Sequence, residues 1–152
     1  MSENTNAKNS QAPEAPLQGS PKVVSWVAQI LAAVIMGQTL FFKFTAAPES
    51  VAIFEQLGAE PWGRIATGIL EAVAILLLLV PGMAFLGGGL TMGLMGGALG
   101  SHLFSLGIEV QGDGGTLFGL AALTFLAATM VTALRVREPL AQTILRVIRP
   151  KR

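Results

Sequence analysis

Four long apolar runs, separated by more polar stretches, occupy the middle of this chain. The first run carries no charged residue over 20 positions. A helix of about 20 apolar residues is long enough to cross a hydrocarbon core of about 30 Å. A Pro81-Gly82 turn without any charge joins the second run to the third and predicts an antiparallel helical hairpin. The pattern predicts membrane spans at residues 23–42, 62–80, 83–106 and 116–134.

A more polar segment follows the first run and is too short to cross a membrane. Pro48 marks a helix start and Gly58 a helix stop, with spaced apolar residues and two carboxylates between them. Such a helix lies on the membrane surface or folds over the mouth of a bundle. The predicted fold is therefore an all-α integral membrane protein. It is a four-transmembrane-helix bundle with a short amphipathic helix between spans 1 and 2 and a basic amphipathic helix at the C-terminus.

The two ends of the chain differ from the apolar middle, which we take as a membrane domain over residues 22–134. Residues 1–21 are rich in Ser, Asn, Gln and Pro and predict a disordered polar tail. Residues 135–152 hold six of the ten basic residues, with apolar positions on a helical stripe. Each basic residue near an anionic membrane contributes about 1 kcal/mol. We therefore expect this tail to rest on anionic lipid, and we expect no nucleic-acid partner.

The same basic tail fixes the expected orientation, because cytoplasmic segments of membrane proteins are enriched in Lys and Arg. Four crossings then place both termini in the cytoplasm. The acidic loops after the first and third spans lie on the opposite side. The sequence thus predicts a multi-pass protein with cytoplasmic N- and C-termini.

Composition supports the membrane class and excludes several cofactors. The chain is 52% hydrophobic and 12% charged, whereas a soluble domain is about a quarter charged. It contains no cysteine and one histidine. Disulfides, thiolate zinc sites, cysteine-ligated iron–sulfur clusters and paired-histidine haem are therefore excluded within the chain. We predict no metal and no resident cofactor, so any electrons must be carried by another protein.

The third predicted span carries a dense pattern of glycines at helical spacing. At about 100° per residue, five of them share one face, and small residues let membrane helices approach closely. We expect this face to pack on another helix of the same chain. The alternative is contact with a second protomer in a homo-oligomer. The five glycines are Gly89, Gly93, Gly96, Gly97 and Gly100.

Charged residues within spans are functional candidates, since a charge at mid-bilayer costs at least about 2.5 kcal/mol. Glu71 stands at the centre of the second span. Lys43, Arg64 and His102 lie nearer the outer face of the membrane, the side opposite the cytoplasmic termini. If the polar stripes of the first two spans face each other, Gln29 reaches Glu71. The sequence then predicts an outward-facing polar cavity floored by Glu71. Glu71 would donate or accept a proton there, and the other four residues would bind a ligand.

Structural interpretations of the same residues remain open. Glu71 can be a neutral acid that holds helix register through a hydrogen bond. Lys43 and Arg64 can extend to the membrane surface while their stems stay in the apolar region. His102 can be an interfacial residue satisfied by loop carbonyls. Two loop acids are expected to be solvated rather than to bind metal: Glu109 and Asp113.

Four motifs in a fixed order resemble the DoxX family of small four-helix bacterial membrane proteins. They are Gly37-x5-Lys43-Phe44, FEQLGAEPWGR, ILEAVAILLLLVPG around Glu71, and GALGSHL at the end of the third span. The resemblance implies a protein of the bacterial inner membrane. The family is named after a subunit of a thiosulfate:quinone oxidoreductase.

That resemblance implies an accessory or quinone-interacting subunit of a membrane redox system, with quinone as substrate and a redox partner subunit. Any enzymatic role would be that of the membrane subunit of a quinone-linked oxidoreductase, since the chain carries no electron centre. One alternative is a non-catalytic assembly or anchoring subunit. A small-solute or lipid carrier is less favoured, because four spans leave little room for a pathway in a monomer.

Overall fold

The computed structural model describes residues 19–136, and this part of the chain contains helices and no strands. The predicted all-α class is confirmed. The short amphipathic helix after the first long helix is also present. The helices are α1 (Ser20–Phe44), α2 (Pro48–Gln56), α3 (Trp62–Leu79), α4 (Ala84–Ser101), a π-helix (His102–Leu106) and α5 (Thr116–Arg135).

The four long helices form a ring in which each packs against two neighbours. α1 lies against α3 and α5, and α4 lies against the same two helices from the opposite side. Small side chains fill much of the interior, together with a few large ones that are fully buried, including Met36, Leu78 and Val131. α2, the π-helix and the loop before α5 lie together at one end, which we call the loop end. The start of α1 and the end of α5 lie at the other, the terminal end.

Within residues 19–136, three helices are long and apolar enough to cross a membrane: α1, α3 and α5. Their outward faces carry large exposed apolar side chains, such as Ile30, Leu76 and Leu126. This apolar exterior is the surface that lipid chains solvate. Membrane-spanning helices are thus supported for three of the four predicted spans.

α4 is not among those three, and its composition explains why. Seven of its 18 residues are glycines, which contribute little hydropathy. The regular helix also ends at Ser101, where the chain continues as the π-helix. The third predicted span therefore has the expected position, but its apolar signal is weaker than that of its neighbours.

The closest helix contacts of α4 involve two glycines outside the predicted glycine face. A Cβ atom at Gly87 would lie 2.5 Å from the backbone nitrogen of Leu78, and one at Gly88 would collide with Thr132 on α5. The predicted face has no such contact, since four of its positions meet nothing within 4 Å and Gly96 meets only Phe125 at 3.7 Å. The four open positions are Gly89, Gly93, Gly97 and Gly100.

The expectation of close packing on that face inside the chain therefore needs correction. The buried residues of α4 include Gly87, Gly88, Thr91 and Met95. At about 100° per residue the predicted glycine face points in roughly the opposite direction. The density of glycines correctly indicated that α4 packs closely on other helices. The face of α4 that does so, however, is the one with Gly87 and Gly88, which the small-xxx-small pattern did not select.

The domain boundaries shift slightly at both ends. α1 begins at Ser20, so the last two residues of the predicted disordered tail belong to a helix. Arg135 is the last residue of α5 and is buried, although the sequence placed it in the basic tail. The predicted basic amphipathic helix and nearly all of the N-terminal tail lie outside the described residues.

Candidate functional site

The Glu71 carboxylate lies in the middle of α3 and is held by two residues of α1. Its relative exposure is 5%. The Lys43 ammonium donates to Oε1 at 3.1 Å and to Oε2 at 3.0 Å, and the Thr39 hydroxyl donates to Oε2 at 2.9 Å. Charge-assisted hydrogen bonds of this kind are roughly twice as strong as neutral ones. Glu71 therefore joins α1 to α3 through a buried ion pair and a hydroxyl.

Lys43 reaches Glu71 because helical side chains lean toward the N-terminus of their helix. In the last turn of α1 this direction points from the loop end toward the interior of the bundle. Of the two interpretations of Lys43, extension to the membrane surface is therefore not observed, and the side chain forms an inward ion pair with Glu71. The same direction places Thr39, one turn earlier, against the carboxylate.

The register of α1 and α3 separates Gln29 from this ion pair. The Arg64 guanidinium donates to the carbonyl oxygen of Lys43, so these two residues lie at one level. Seven residues along each antiparallel helix bring Met36 level with Glu71, and seven more bring Gln29 about 10 Å beyond that level. Gln29 therefore does not reach Glu71. The sequence showed which helix faces were polar, but it did not give the axial offset between them.

Gln29 instead belongs to a second polar group at the terminal end. Its amide nitrogen donates to Ser25 Oγ at 2.7 Å, and Arg135 Nε donates to the same oxygen at 2.8 Å. All three residues are buried, with Gln29 only 1% exposed. This terminal cluster joins the start of α1 to the end of α5.

Arg64 connects the start of α3 to the end of α1. Its Nε and Nη2 atoms bind the Glu60 carboxylate at 2.7 to 2.9 Å, while Nη1 donates to Lys43. The last carbonyls of a helix lack intrahelical donors, so Arg64 satisfies one of them at the end of α1. A planar guanidinium can bind a carboxylate and a carbonyl at once. Arg64 thus holds the backbone from which Lys43 extends.

His102 lies apart from the other predicted site residues. Its Nδ1 atom donates to the carbonyl oxygen of Gly107 at 2.8 Å, and its ring meets Phe118 edge to face at 5.7 Å. This geometry matches the interpretation of an interfacial histidine satisfied by a loop carbonyl. His102 follows α4 directly and lies seven residues after Met95, on the inward face of that helix, which directs its side chain toward α5.

Asp113 organises the loop before α5. Its carboxylate accepts backbone N–H groups from Val110, Gly115 and Leu117 at 2.8 to 2.9 Å. The bonds from Leu117 and Val110 are the main causes that lower the pKa of the Asp113 carboxyl. Partial burial opposes them, and Gly115 and the nearby His102 add smaller lowering effects. Asp113 is a structural cap of the loop rather than a freely solvated acid.

This arrangement predicts acid sensitivity of the loop end. Because folding lowers the pKa of Asp113, its stabilising contribution is complete above an unfolded pKa of about 3.9 and disappears as the pH falls through the lower folded value. The protection factor of the Leu117 amide, which is the exchange rate of an unfolded peptide divided by the observed rate at the same pH, should therefore fall below about pH 4. In Asp113→Asn the protection factor should already be low at pH 7 and should depend less on pH. Glu109→Gln, an exposed change in the same loop, is the control and should behave as wild type.

Two site residues escaped the sequence prediction. Thr39 stands four residues before Lys43, and Glu60 stands four residues before Arg64. Side chains four residues apart share a helix face, and this spacing was the available signal for Thr39; Glu60 lies in the turn before α3 and had no such signal. Among residues 19–136, the acids and the histidine form no group of three that could hold a metal ion. Every buried polar side-chain atom in this part of the chain has a hydrogen-bond partner.

Comparisons with protein-family models, curated proteins and solved structures found no match to this chain.

Proposed function

We propose that this chain is a DoxX-like, four-span protein of the bacterial inner membrane and an accessory, quinone-interacting subunit of a redox system. The observation that carries the proposal is the Lys43–Glu71 ion pair within candidate spans. Ionisable residues at such depth mark functional sites by default. The basic tail supports cytoplasmic termini.

The packing of α4 supports a fourth crossing. α4 lies along both α3 and α5, which are themselves candidate spans. Together with the π-helix, it continues to Leu106, giving 23 residues and a length of about 35 Å. A helix packed along two spanning helices occupies the same hydrocarbon layer. The mean hydropathy of α4 is low, but its inward face is covered by α3 and α5, so only its outward face would meet lipid.

The donors and acceptors of the ion pair suit a quinone headgroup. A lysine ammonium has three hydrogens, and two point to Glu71. The third is available to a quinone carbonyl, since the Lys43 side chain retains 13% exposure. Glu71 Oε1 accepts a single bond, so it keeps a lone pair that can take a proton. Oxidation of a quinol bound here would give two electrons to a partner subunit and two protons, one to Glu71 and one to water, and reduction of a quinone would reverse these steps.

Quinone binding by the purified protein tests this proposal. We expect protein extracted in mild detergent to retain quinone, detected by mass spectrometry, and to bind added short-chain quinone. Lys43→Gln removes a charged donor, whose hydrogen bond contributes about 1.5–3 kcal/mol. The dissociation constant should therefore rise roughly 10- to 150-fold.

The matched control is Lys22→Gln, which changes an exposed lysine at the other end of the same helix. It should bind quinone as wild type does. Lys43→Arg keeps the positive charge and separates a loss of binding from a loss of folding. Equal affinity of the Lys43→Gln and Lys22→Gln proteins, or no quinone binding by wild type, would contradict the proposal.

A non-catalytic assembly or anchoring subunit is the second candidate. Two observations favour it: the buried polar groups of the described residues are satisfied internally, and the outward glycine face of α4 is open. Glu71→Gln discriminates between the two functions. Retained assembly with lost quinone-dependent turnover supports chemistry, whereas lost assembly with unchanged turnover supports an anchoring role.

A further inference from the structure

Gln38 is a polar residue on the outward face of a candidate membrane span. It is exposed on α1 and makes no hydrogen bond with any residue from 19 to 136. Its neighbours on that face are apolar, with Val34 56% and Phe41 67% exposed. An amide without a partner in hydrocarbon is costly. On a helix face that contacts only lipid, an apolar residue at this position would be more stable than glutamine.

Extension to the nearby membrane surface does not solve this problem. Gln38 lies six residues before the end of α1, about 9 Å below the loop end. Helical side chains lean toward the N-terminus of their helix, which here is the terminal end. The amide of Gln38 therefore leans into the apolar layer, as Lys43 does on the inward face. The Lys43 ammonium binds Glu71 there, whereas the Gln38 amide faces away from the bundle and makes no hydrogen bond with residues 19–136.

An exposed apolar seam runs along the same face of α1. Its residues alternate at spacings of three and four, the repeat by which two helices pack at a small left-handed crossing angle. Four of its positions are apolar, with Val at two of them, and Gln38 is the fifth. We call this surface the α1 seam: Val27, Leu31, Val34, Gln38 and Phe41.

We propose that the α1 seam is the contact between two copies of this chain, which pair through Gln38 across a two-fold axis along the membrane normal. Copies inserted in one orientation meet at equal depth, so each Gln38 faces the other. An amide carries both a donor and an acceptor, so two identical glutamines exchange reciprocal N–H···O bonds. Such self-complementarity is what a two-fold interface requires.

The absence of cysteine from the sequence permits a direct test by single-cysteine cross-linking in membranes. Leu31→Cys and Val34→Cys should each yield a disulfide-linked dimer on mild oxidation. Val73→Cys on α3 and Gly93→Cys on α4 are exposed controls on other faces and should remain monomeric. Cross-linking at Gly93 but not on the α1 seam would overturn the proposal in favour of the glycine face.

The role of Gln38 itself is tested by Gln38→Leu. Polar contacts between membrane helices contribute about 0.6 to 2 kcal/mol. We therefore expect the dimer dissociation constant, measured by energy transfer between labelled copies in liposomes, to rise about three- to thirtyfold. Thermal unfolding of the monomer should not change, because Gln38 has no partner within the described fold. Unchanged dimerisation of the variant, a monomeric wild type, or stoichiometric occupation of the seam by a different protein would each overturn the proposal.

Discussion

Replacing Lys43 with methionine should lower the free energy of unfolding by about 3–5 kcal/mol. The reason is the buried carboxylate of Glu71, which would lose its counter-charge and two of its three hydrogen bonds. Thr39 alone cannot replace an ammonium group. The loss is measurable as a shift in the unfolding curve of the purified protein in mixed micelles as the denaturing detergent is increased.

The double change Lys43→Met with Glu71→Met should recover most of that loss. Replacing both members of a buried ion pair by apolar residues of similar size is often neutral or stabilising. Thr39 is not left without a partner, because its one hydroxyl hydrogen can turn to the Met36 carbonyl oxygen, which lies 2.8 Å away. Lys22→Met is the exposed control and should stay within about 0.5 kcal/mol of wild type. If the double variant is as unstable as the single one, the pair does not act as a unit.

Replacing Gly87 with alanine should lower the free energy of unfolding by about 1–3 kcal/mol. The added Cβ atom would lie 2.5 Å from Leu78 N, 2.8 Å from the Leu77 carbonyl carbon and 2.9 Å from Leu78 Cα. These are backbone atoms of α3, so no side-chain rotation relieves the overlap. α3 and α4 must separate instead, and the same unfolding titration measures the cost.

Gly93→Ala is the matched control because it makes the same chemical change in the same helix. A Cβ atom at Gly93 meets nothing within 4 Å. Alanine favours a helix over glycine by about 1 kcal/mol, so this variant should be as stable as wild type or slightly more stable. Equal losses in the two variants would show that glycine is needed along α4 for a reason other than the contact with α3.

Much of the helical plan follows from local pattern. Runs of apolar residues predicted the positions of α1, α3 and α5, because helix length must match the thickness of a bilayer. Pro48 and Gly58 predicted α2 through the effect of proline and glycine on helix ends. The importance of Glu71 was also visible, since one carboxylate in an apolar run needs a partner.

The hydrogen-bond partners of the site residues could not be predicted from local sequence pattern, because they depend on how the helices are positioned relative to one another. Gln29 and Glu71 both lie on inward faces, yet the axial offset between α1 and α3 keeps them apart. That offset is set by the connection through α2 and by the bond from Arg64 to Lys43. The contact of His102 with Phe118 likewise depends on how α4 packs against α5. Each difference arises from geometry between elements rather than within one.

The terminal cluster also dictates an order of assembly. Lys43 and Glu71 are 28 residues apart, whereas Ser25 and Arg135 are 110 residues apart. At about 5–20 residues per second, synthesis of that longer interval takes roughly 5–20 s. During this time α1 and α3 can already be joined at the loop end, while Ser25 and Gln29 still await the last helix. In the nascent protein the contact between α1 and α5 therefore forms after the contact between α1 and α3. A chaperone or insertase that shields the polar groups of α1 would act before α5 is synthesised.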